Sequence, residues 1–462
     1  MRSRIPLSCR QEDHHAAAGL EHGRELRLRY FLSMAPLIPL VVVIVAAALV
    51  ARFYDLRRLD DPFVTAFLFL SVLWIAGSGL GAVFARFPQP SATTTLLLFA
   101  GYAAFVLGGL LRATMAGRSR PAHDDPPARP ASREPVVARY WLTLAVGYVL
   151  VVVFIVIVGG IPVLAEDGAQ ARVDARAGLG YLVIAAIWLI TLPSVTLVAD
   201  AYSRGRRWRH ASWAVVAVSA LALGTFGNRA PVVVLIIASG WVAFFLSRGL
   251  PRWPFLAAAG ATALLVVAAL GVLRGGGAPG LDVVGTLQWQ MYVNASNLER
   301  LVQLIPEETP HLWGRGYLID LAVLLPGSQP NFGTWLKEVI GMEFPGGGIT
   351  IGLFGEFYAN WGAPVAVAGS FGVGLAMASI RPWLAIRRPV DVAFAVLLSL
   401  AIGGMVQSGV VSVMLYSVIP LSGLYLIALQ TGRRRPNAPE ESIFPPSDDV
   451  RPPLSPGRSS PS

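Results

Sequence analysis

Apolar blocks of about 20 residues recur along the chain, and this pattern constrains the fold more than any other feature. An α-helix of that length crosses the hydrocarbon core of a bilayer. The blocks show neither the alternation of a half-buried strand nor the apolar stripe of an amphipathic helix. Hydrophobic residues make up 55% of the 462 residues and charged residues only 14%. The sequence therefore predicts a helical membrane protein that crosses the bilayer many times.

We predict an all-α, polytopic transmembrane bundle of about eleven spans with a large helical outer loop. The candidate spans are Met34 to Phe53, Phe63 to Ala85, Ala92 to Leu111, Tyr140 to Gly160, Leu179 to Asp200, Ala211 to Phe226, Ala230 to Ser247, Pro254 to Leu273, Leu353 to Ile380, Val390 to Gln407 and Val411 to Gln430.

Arginines on alternate connections set the predicted orientation. The connection from Arg112 to Arg139 holds six arginines and that from Tyr202 to His210 holds four, so both should face the cytoplasm. The intervening connections, including the long one before Leu353, then face outward. The same rule explains the net charge of +10, so we expect the lipid bilayer and no nucleic acid as a partner.

The predicted domain organisation is one membrane domain over residues 34–432, with its outer loop at 274–352. A cytoplasmic loop at 113–139 and a cytoplasmic tail at 433–462 are rich in Pro, Ser and charge, so we expect both to be disordered. Residues 1–33 form a polar leader whose six arginines the alternation would place outside. Either translation starts at Met34, or one of the first three spans is miscounted.

Several chemistries are missing from the sequence. The single cysteine, Cys9, excludes an intrachain disulfide and a cysteine-rich metal site. The chain has no Walker motif, no Asp-x-Asp motif, no histidine cluster and no serine nucleophile elbow. We therefore expect no cofactor and no metal, and a reaction that depends on arginines and a carboxylate.

The outer loop carries its own helical patterns. Apolar residues from Thr286 to Ile305 recur at helical spacing on one face, which predicts a helix against the membrane or over the bundle. A short helix is predicted from Phe332 to Ile340, with Asn331 as its N-cap. Gly316 to Leu325 is apolar but too short to span, so it is either re-entrant or buried.

Glu356 and Arg229 are the strongest candidates for a site. Glu356 lies where the chain re-enters the membrane, between Gly355 and two aromatic residues, where a carboxylate either snorkels to the surface or serves a function. Arg229 lies in a tight turn between two apolar spans that needs no arginine. We expect both side chains to face one outward cavity.

Arginine binds a diphosphate through paired planar hydrogen bonds, which makes the other outward arginines candidates for substrate binding. Arg172 and Arg176 flank Asp174 and would equally suit a solvated helix face. Arg300 would equally suit a surface or headgroup contact. The remaining binding candidates are Arg274, Arg315, His311, Glu343 and Tyr358.

Three stretches resemble the oligosaccharide repeat unit polymerases, the Wzy-type O-antigen polymerases. They are Gly159 to Leu182, Gly224 to Ile237 and Phe344 to Gly374, and the likeness extends roughly from Leu56 to Leu429. The resemblance implies a glycosyltransferase of the cytoplasmic membrane that joins undecaprenyl-diphosphate-linked oligosaccharides on the outer face. It also implies a chain-length regulator as a possible partner.

The resemblance further implies roles for individual residues. The outward arginines of such enzymes correspond to Arg172, Arg176 and Arg229, and Glu356 would be the base, with Glu343 and His311 behind it. An O-antigen ligase shares the architecture and the donor and stays open as an alternative. A flippase or other transporter of lipid-linked oligosaccharides is the second alternative, although the large outer loop and the few ionisable residues inside the spans disfavour it.

Overall fold

The fold is that of a computed structural model, which describes residues 38–54, 56, 61–78, 90–115, 137–165, 168–176, 178–204, 208–246, 283–325, 330–342, 348–380 and 388–432. These residues are mostly helical and contain no strand, so the all-α prediction is confirmed for them. Within them, seven helices are long and apolar enough to cross a membrane. The predicted span from Pro254 to Leu273, the leader, the tail and most of the loop 113–139 lie outside the described residues.

Sixteen α-helices occur in the described part of the chain. They are α1 (Ile38–Phe53), α2 (Pro62–Ser78), α3 (Ala92–Met115), α4 (Val137–Val158), α5 (Gly168–Arg176), α6 (Gly180–Arg204), α7 (Arg209–Gly224), α8 (Arg229–Leu246), α9 (Val283–Leu304), α10 (Arg315–Ala322), α11 (Phe332–Val339), α12 (Gly352–Trp361), α13 (Ala363–Ile380), α14 (Pro389–Ser408), α15 (Val410–Val413) and α16 (Ile419–Gly432). A π-helical turn, Met414–Val418, joins the last two.

Helix α14 forms the centre of the bundle. Nearly all of its residues are buried, and it packs against α2, α6, α8 and α12. A helix that is apolar on every side is stable only inside a protein or in lipid. By contrast, α4 exposes Val149, Val152 and Val156, as expected for a helix that faces lipid.

Glycines bring α3 and α13 into close contact. A Cβ atom on Gly108 would overlap the Phe371 carbonyl, and one on Gly374 would overlap the Phe105 carbonyl. Small residues at a helix interface permit this close approach, which favours association of membrane helices by van der Waals packing.

The bundle has two chemically different ends. At one end Arg388 pairs with Asp391, with Nη2 and Oδ1 3.0 Å apart, and the Arg112 Nε donates to the Ser379 hydroxyl. At the other end the Tyr181 hydroxyl donates to the Val323 carbonyl over 3.1 Å, which ties the start of α6 to the segment after α10. We call this second end the loop end.

The helices predicted within residues 274–352 are confirmed where those residues are described. Helix α9 buries Leu298 and Leu301, and α11 begins with Asn331 as N-cap, whose side chain accepts the Thr334 N–H over 2.8 Å. The prediction of one continuous span from Leu353 to Ile380 was wrong. The chain breaks at Gly362, whose φ of +83° suits glycine, so α12 and α13 are separate helices and α12 lies at the loop end.

Candidate functional site

Side-chain and backbone hydrogen bonds hold helix α12 against residues 305–316. The Asn360 Oδ1 accepts the Gly316 N–H from α10, and the Tyr358 hydroxyl donates to the Ile305 carbonyl after α9. The backbone N–H groups of Leu312 and Trp313 donate to the last carbonyls of α12. These bonds satisfy groups that a helix C-terminus leaves unpaired, and they fix α10 and α12 side by side.

Glu356 is buried on the inner face of α12. It is only 3% exposed, and its Oε2 accepts the backbone N–H of Val410 at the start of α15. The preceding residue, Gly409, has a φ of +88°, and a Cβ atom there would lie 2.7 Å from the same oxygen. The turn between α14 and α15 is therefore shaped around this carboxylate.

A second carboxylate, that of Asp320 on α10, shares the site. It is 4% exposed, and it accepts the Phe332 N–H over 2.8 Å and the Ser412 hydroxyl over 3.0 Å. Asp320 therefore connects α10, α11 and α15. Buried carboxylates require such partners, because an unpaired buried charge is costly.

The two carboxylates line one cavity of about 150 Å³ at the loop end. The other residues that line it are 331–333, 348–352, 408–409 and Ser412. Neither Arg229 nor any other described arginine is among the residues that line it. A cavity with few convergent polar groups is the usual form of a binding site.

Burial changes the protonation of both carboxylates. It raises the pKa of Glu356 from 4.5 to about 7, with the Val410 N–H acting to lower this pKa and the Asp320 charge acting to raise it. Burial also raises the pKa of Asp320, against hydrogen bonds from Phe332 and Ser412 that lower it. A carboxylate with a pKa near neutrality can both take up and release a proton at physiological pH.

Tyr317 adds a buried hydroxyl near these groups. Burial raises its pKa, and the charge of Glu356 adds to the rise. Within the described residues its oxygen is buried without a hydrogen-bond partner, while its ring lies 5.3 Å from that of Trp361. The described residues contain no group of three or more side chains that could hold a metal ion. The cavity offers two carboxylates for proton transfer, and Tyr317 is not among the residues that line it.

A family model described as "Putative O-antigen polymerase" matches residues 61–419. The matched region covers more than three quarters of the chain and includes every residue of the cavity. The chain belongs to the O-antigen polymerase family. Members of this family are membrane polymerases of lipid-linked repeat units, so this chain is a multi-pass membrane protein of polysaccharide biosynthesis. No curated protein and no solved structure matches the chain.

In this O-antigen polymerase, two predicted site residues lie in contact. The Nδ1 of His311 is 3.1 Å from the Tyr358 carbonyl, and their rings meet edge to face with centroids 5.7 Å apart. Tyr358 lies on α12 and His311 lies beside it, but neither is among the residues that line the Glu356 cavity.

The predicted arginines of the polymerase are spread over several elements. Arg172 and Arg176 lie on α5, but the structure describes only their backbone. Arg229 is the first residue of α8 and is half-buried. Arg300 and Arg315 are exposed. Arg274 and Glu343 lie outside the described residues, and the substrate roles of all these groups stay predictions.

Sequence reasoning assigned no role to Asp320. The available signal was that Asp320 is the only acidic or basic residue in the apolar run from Gly316 to Leu325, and a lone carboxylate in such a run indicates a specific partner. A Cβ atom on Gly348 would overlap the backbone of Gly333, so this glycine permits the chain to pack on itself.

Proposed function

We propose that the polymerase joins undecaprenyl-diphosphate-linked oligosaccharide repeat units on the outer face of the cytoplasmic membrane, with Glu356 as general base. The observation that carries the proposal is the buried Glu356 carboxylate, which lies in a cavity at the loop end and has a pKa of about 7. The connections at the opposite end of the bundle, Arg112 to Arg139 and Tyr202 to His210, hold six and four arginines, so the positive-inside rule favours an outward loop end.

The proposed step is a displacement at the anomeric carbon of the donor. A hydroxyl of the acceptor sugar attacks that carbon, and the bond from the carbon to the diphosphate oxygen breaks. The Glu356 carboxylate takes the hydroxyl proton, and the lipid diphosphate leaves with the electron pair of the broken bond. General-base assistance of this kind contributes about 10²–10⁴-fold to a rate.

The size of the cavity fits the reacting end of a glycan. Small-molecule pockets span roughly 300–1,000 Å³, whereas this cavity holds about 150 Å³. It would therefore admit the acceptor hydroxyl and its ring, while the rest of the repeat unit stays outside. Gly409 keeps the carboxylate side of the cavity free of a side chain.

Arginines would stabilise the departing diphosphate. Arg229 is the first residue of α8 and follows the turn that joins α7 to α8 at the loop end. Arg172 and Arg176 lie on α5, which precedes the start of α6 at the same end. Guanidinium groups bind phosphate oxygens in pairs and stay charged near lipid, so this step needs no metal ion.

Deletion of the gene tests the function. The proposal expects single repeat units on the lipid or glycan acceptor and no polymer ladder, restored by the wild-type gene but not by Glu356→Gln present at equal level in the membrane. Long unattached chains would instead identify a ligase, and repeat units trapped on the cytoplasmic leaflet would identify a flippase. A normal ladder in the deletion strain would refute the polymerase function for this chain.

A further inference from the structure

Helix α10 has two faces of opposite character. One face carries Gly316 and the buried carboxylate of Asp320. The other carries Leu318 and Leu321, which are 64% and 44% exposed. At about 100° per residue, the mean directions of the two faces differ by about 150°. The turn that continues the helix adds Leu324 and Leu325, which are also exposed.

This leucine face continues the lipid-facing surface of the bundle. The Val323 carbonyl accepts a hydrogen bond from Tyr181 at the start of α6, and α6 is one of the helices able to cross a membrane. Tyr181 is itself 59% exposed. The leucines therefore lie where a spanning helix emerges from the bilayer, and not on a surface remote from it.

The charges around the leucine face also fit a membrane surface. From Gly316 to Leu325 the only acidic or basic side chain is that of Asp320, which is buried in the protein. Arg315 at the start of α10 is exposed, and arginine can reach lipid phosphates from the edge of an apolar face. The preceding Trp313 is 74% exposed, and tryptophan is enriched at membrane interfaces.

We propose that α10 lies in the membrane interface at the loop end, with its leucine face among lipid chains and its Asp320 face on the cavity. The helix then separates the bilayer from the carboxylate cavity. On the proposed function, a lipid-linked substrate keeps its lipid along the leucine face while its polar end reaches the cavity. The lipid contact itself does not depend on the chemistry assigned to Glu356.

Site-specific quenching of the full chain in liposomes tests the lipid contact. Because Cys9 is the only cysteine, Cys9→Ser provides a background in which Leu321→Cys carries a single fluorescent label. Val152→Cys on the exposed side of α4 is the lipid control, and Glu308→Cys, an exposed residue after α9, is the aqueous control. The probes are lipid-borne nitroxides, placed near the headgroup or near the chain end, and aqueous iodide.

We expect the label at position 321 to be quenched by the nitroxide near the headgroup as strongly as the Val152 label is by the deeper one. Iodide should quench the label at 321 several-fold less than the label at 308. If the label at 321 were quenched in the same way as the label at 308, the proposal would be overturned. Protection of the label at 321 from both the nitroxides and iodide would also overturn it, because protein and not lipid would then cover the leucine face.

Donor chain length tests the role in substrate approach. Leu321→Asn should raise KM for a long-chain polyprenyl donor several-fold, with kcat and the KM for a short-chain, water-soluble donor unchanged. An equal rise for both donors would refute the guiding role. This measurement compares two donors in one variant, so it tests only the guiding role of the leucine face. If Glu356→Gln failed to abolish activity, only the proposed chemistry would be refuted.

Discussion

Replacement of Glu356 by glutamine measures how much an ionised carboxylate in the cavity lowers the stability of the folded protein. The side chain is 3% exposed, and glutamine has nearly the same shape. Its amide oxygen can still accept the Val410 N–H that the carboxylate accepts in the wild type. The main difference between the two proteins is therefore that only the wild type can ionise here.

The magnitude follows from the raised pKa. Burial moves the pKa of Glu356 from 4.5 to about 7. Below about pH 4.5 the carboxyl is protonated in both the folded and unfolded states, so it does not affect stability. Above about pH 7 it is ionised in both, and the folded state bears the full cost of about 3 kcal/mol, at about 1.4 kcal/mol per pH unit. The wild type should thus lose stability relative to Glu356→Gln as pH rises from about 5 to 8.

Thermal unfolding in detergent at pH 5, 6, 7 and 8 measures this difference. We expect Glu356→Gln to unfold at the wild-type temperature near pH 5 and several degrees higher at pH 8. Scan rate and detergent must be identical, because unfolding of such proteins is often irreversible. Glu338→Gln, an exposed residue on α11, is the matched control and should show no such trend. A difference between Glu356→Gln and wild type that does not change with pH would refute the reasoning.

Three further substitutions test the arrangement around Glu356. Gly409→Ala should abolish polymer formation, because its Cβ would lie 2.7 Å from the Glu356 Oε2 and alanine disfavours a φ of +88°. The control is Gly404→Ala, whose Cβ would have no neighbouring atom within 4 Å, and it should leave the polymer ladder unchanged. Equal polymer ladders from the two variants would contradict this prediction. Asp320→Asn removes a charge that raises the pKa of Glu356, so the acid limb of the pH–rate profile should move to lower pH; a shift to higher pH would contradict the coupling. Arg229→Ala should abolish chain growth at unchanged membrane level, and retained activity would remove Arg229 from the mechanism.

Much of the helical architecture could be predicted because membrane helices are encoded locally. The apolar blocks identified α3, α4, α6 and α8, and a single asparagine identified the start of α11. The break at Gly362 was missed because most of the residues from Leu353 to Ile380 are apolar. With 47 glycines in the chain, composition does not indicate which one adopts a positive φ.

The pairing of carboxylates was beyond sequence reasoning for a different physical reason. Glu356 was recognised because a carboxylate at a membrane boundary is costly. Asp320 lies far earlier in the chain. Only the packing of α10 on α12 and α15 brings it into the same cavity. Charge coupling between distant residues depends on tertiary geometry, which no local pattern records.

The pH dependence of the purified polymerase tests the central claim most directly. If Glu356 is the base, the rate of chain extension at saturating substrate should rise about tenfold per pH unit well below pH 7 and level off above it, because only the carboxylate form can accept the hydroxyl proton. Glu356→Gln should reduce the rate by about 10²–10⁴-fold and abolish this limb. A Glu356→Gln enzyme with the wild-type rate and the wild-type acid limb would contradict the account.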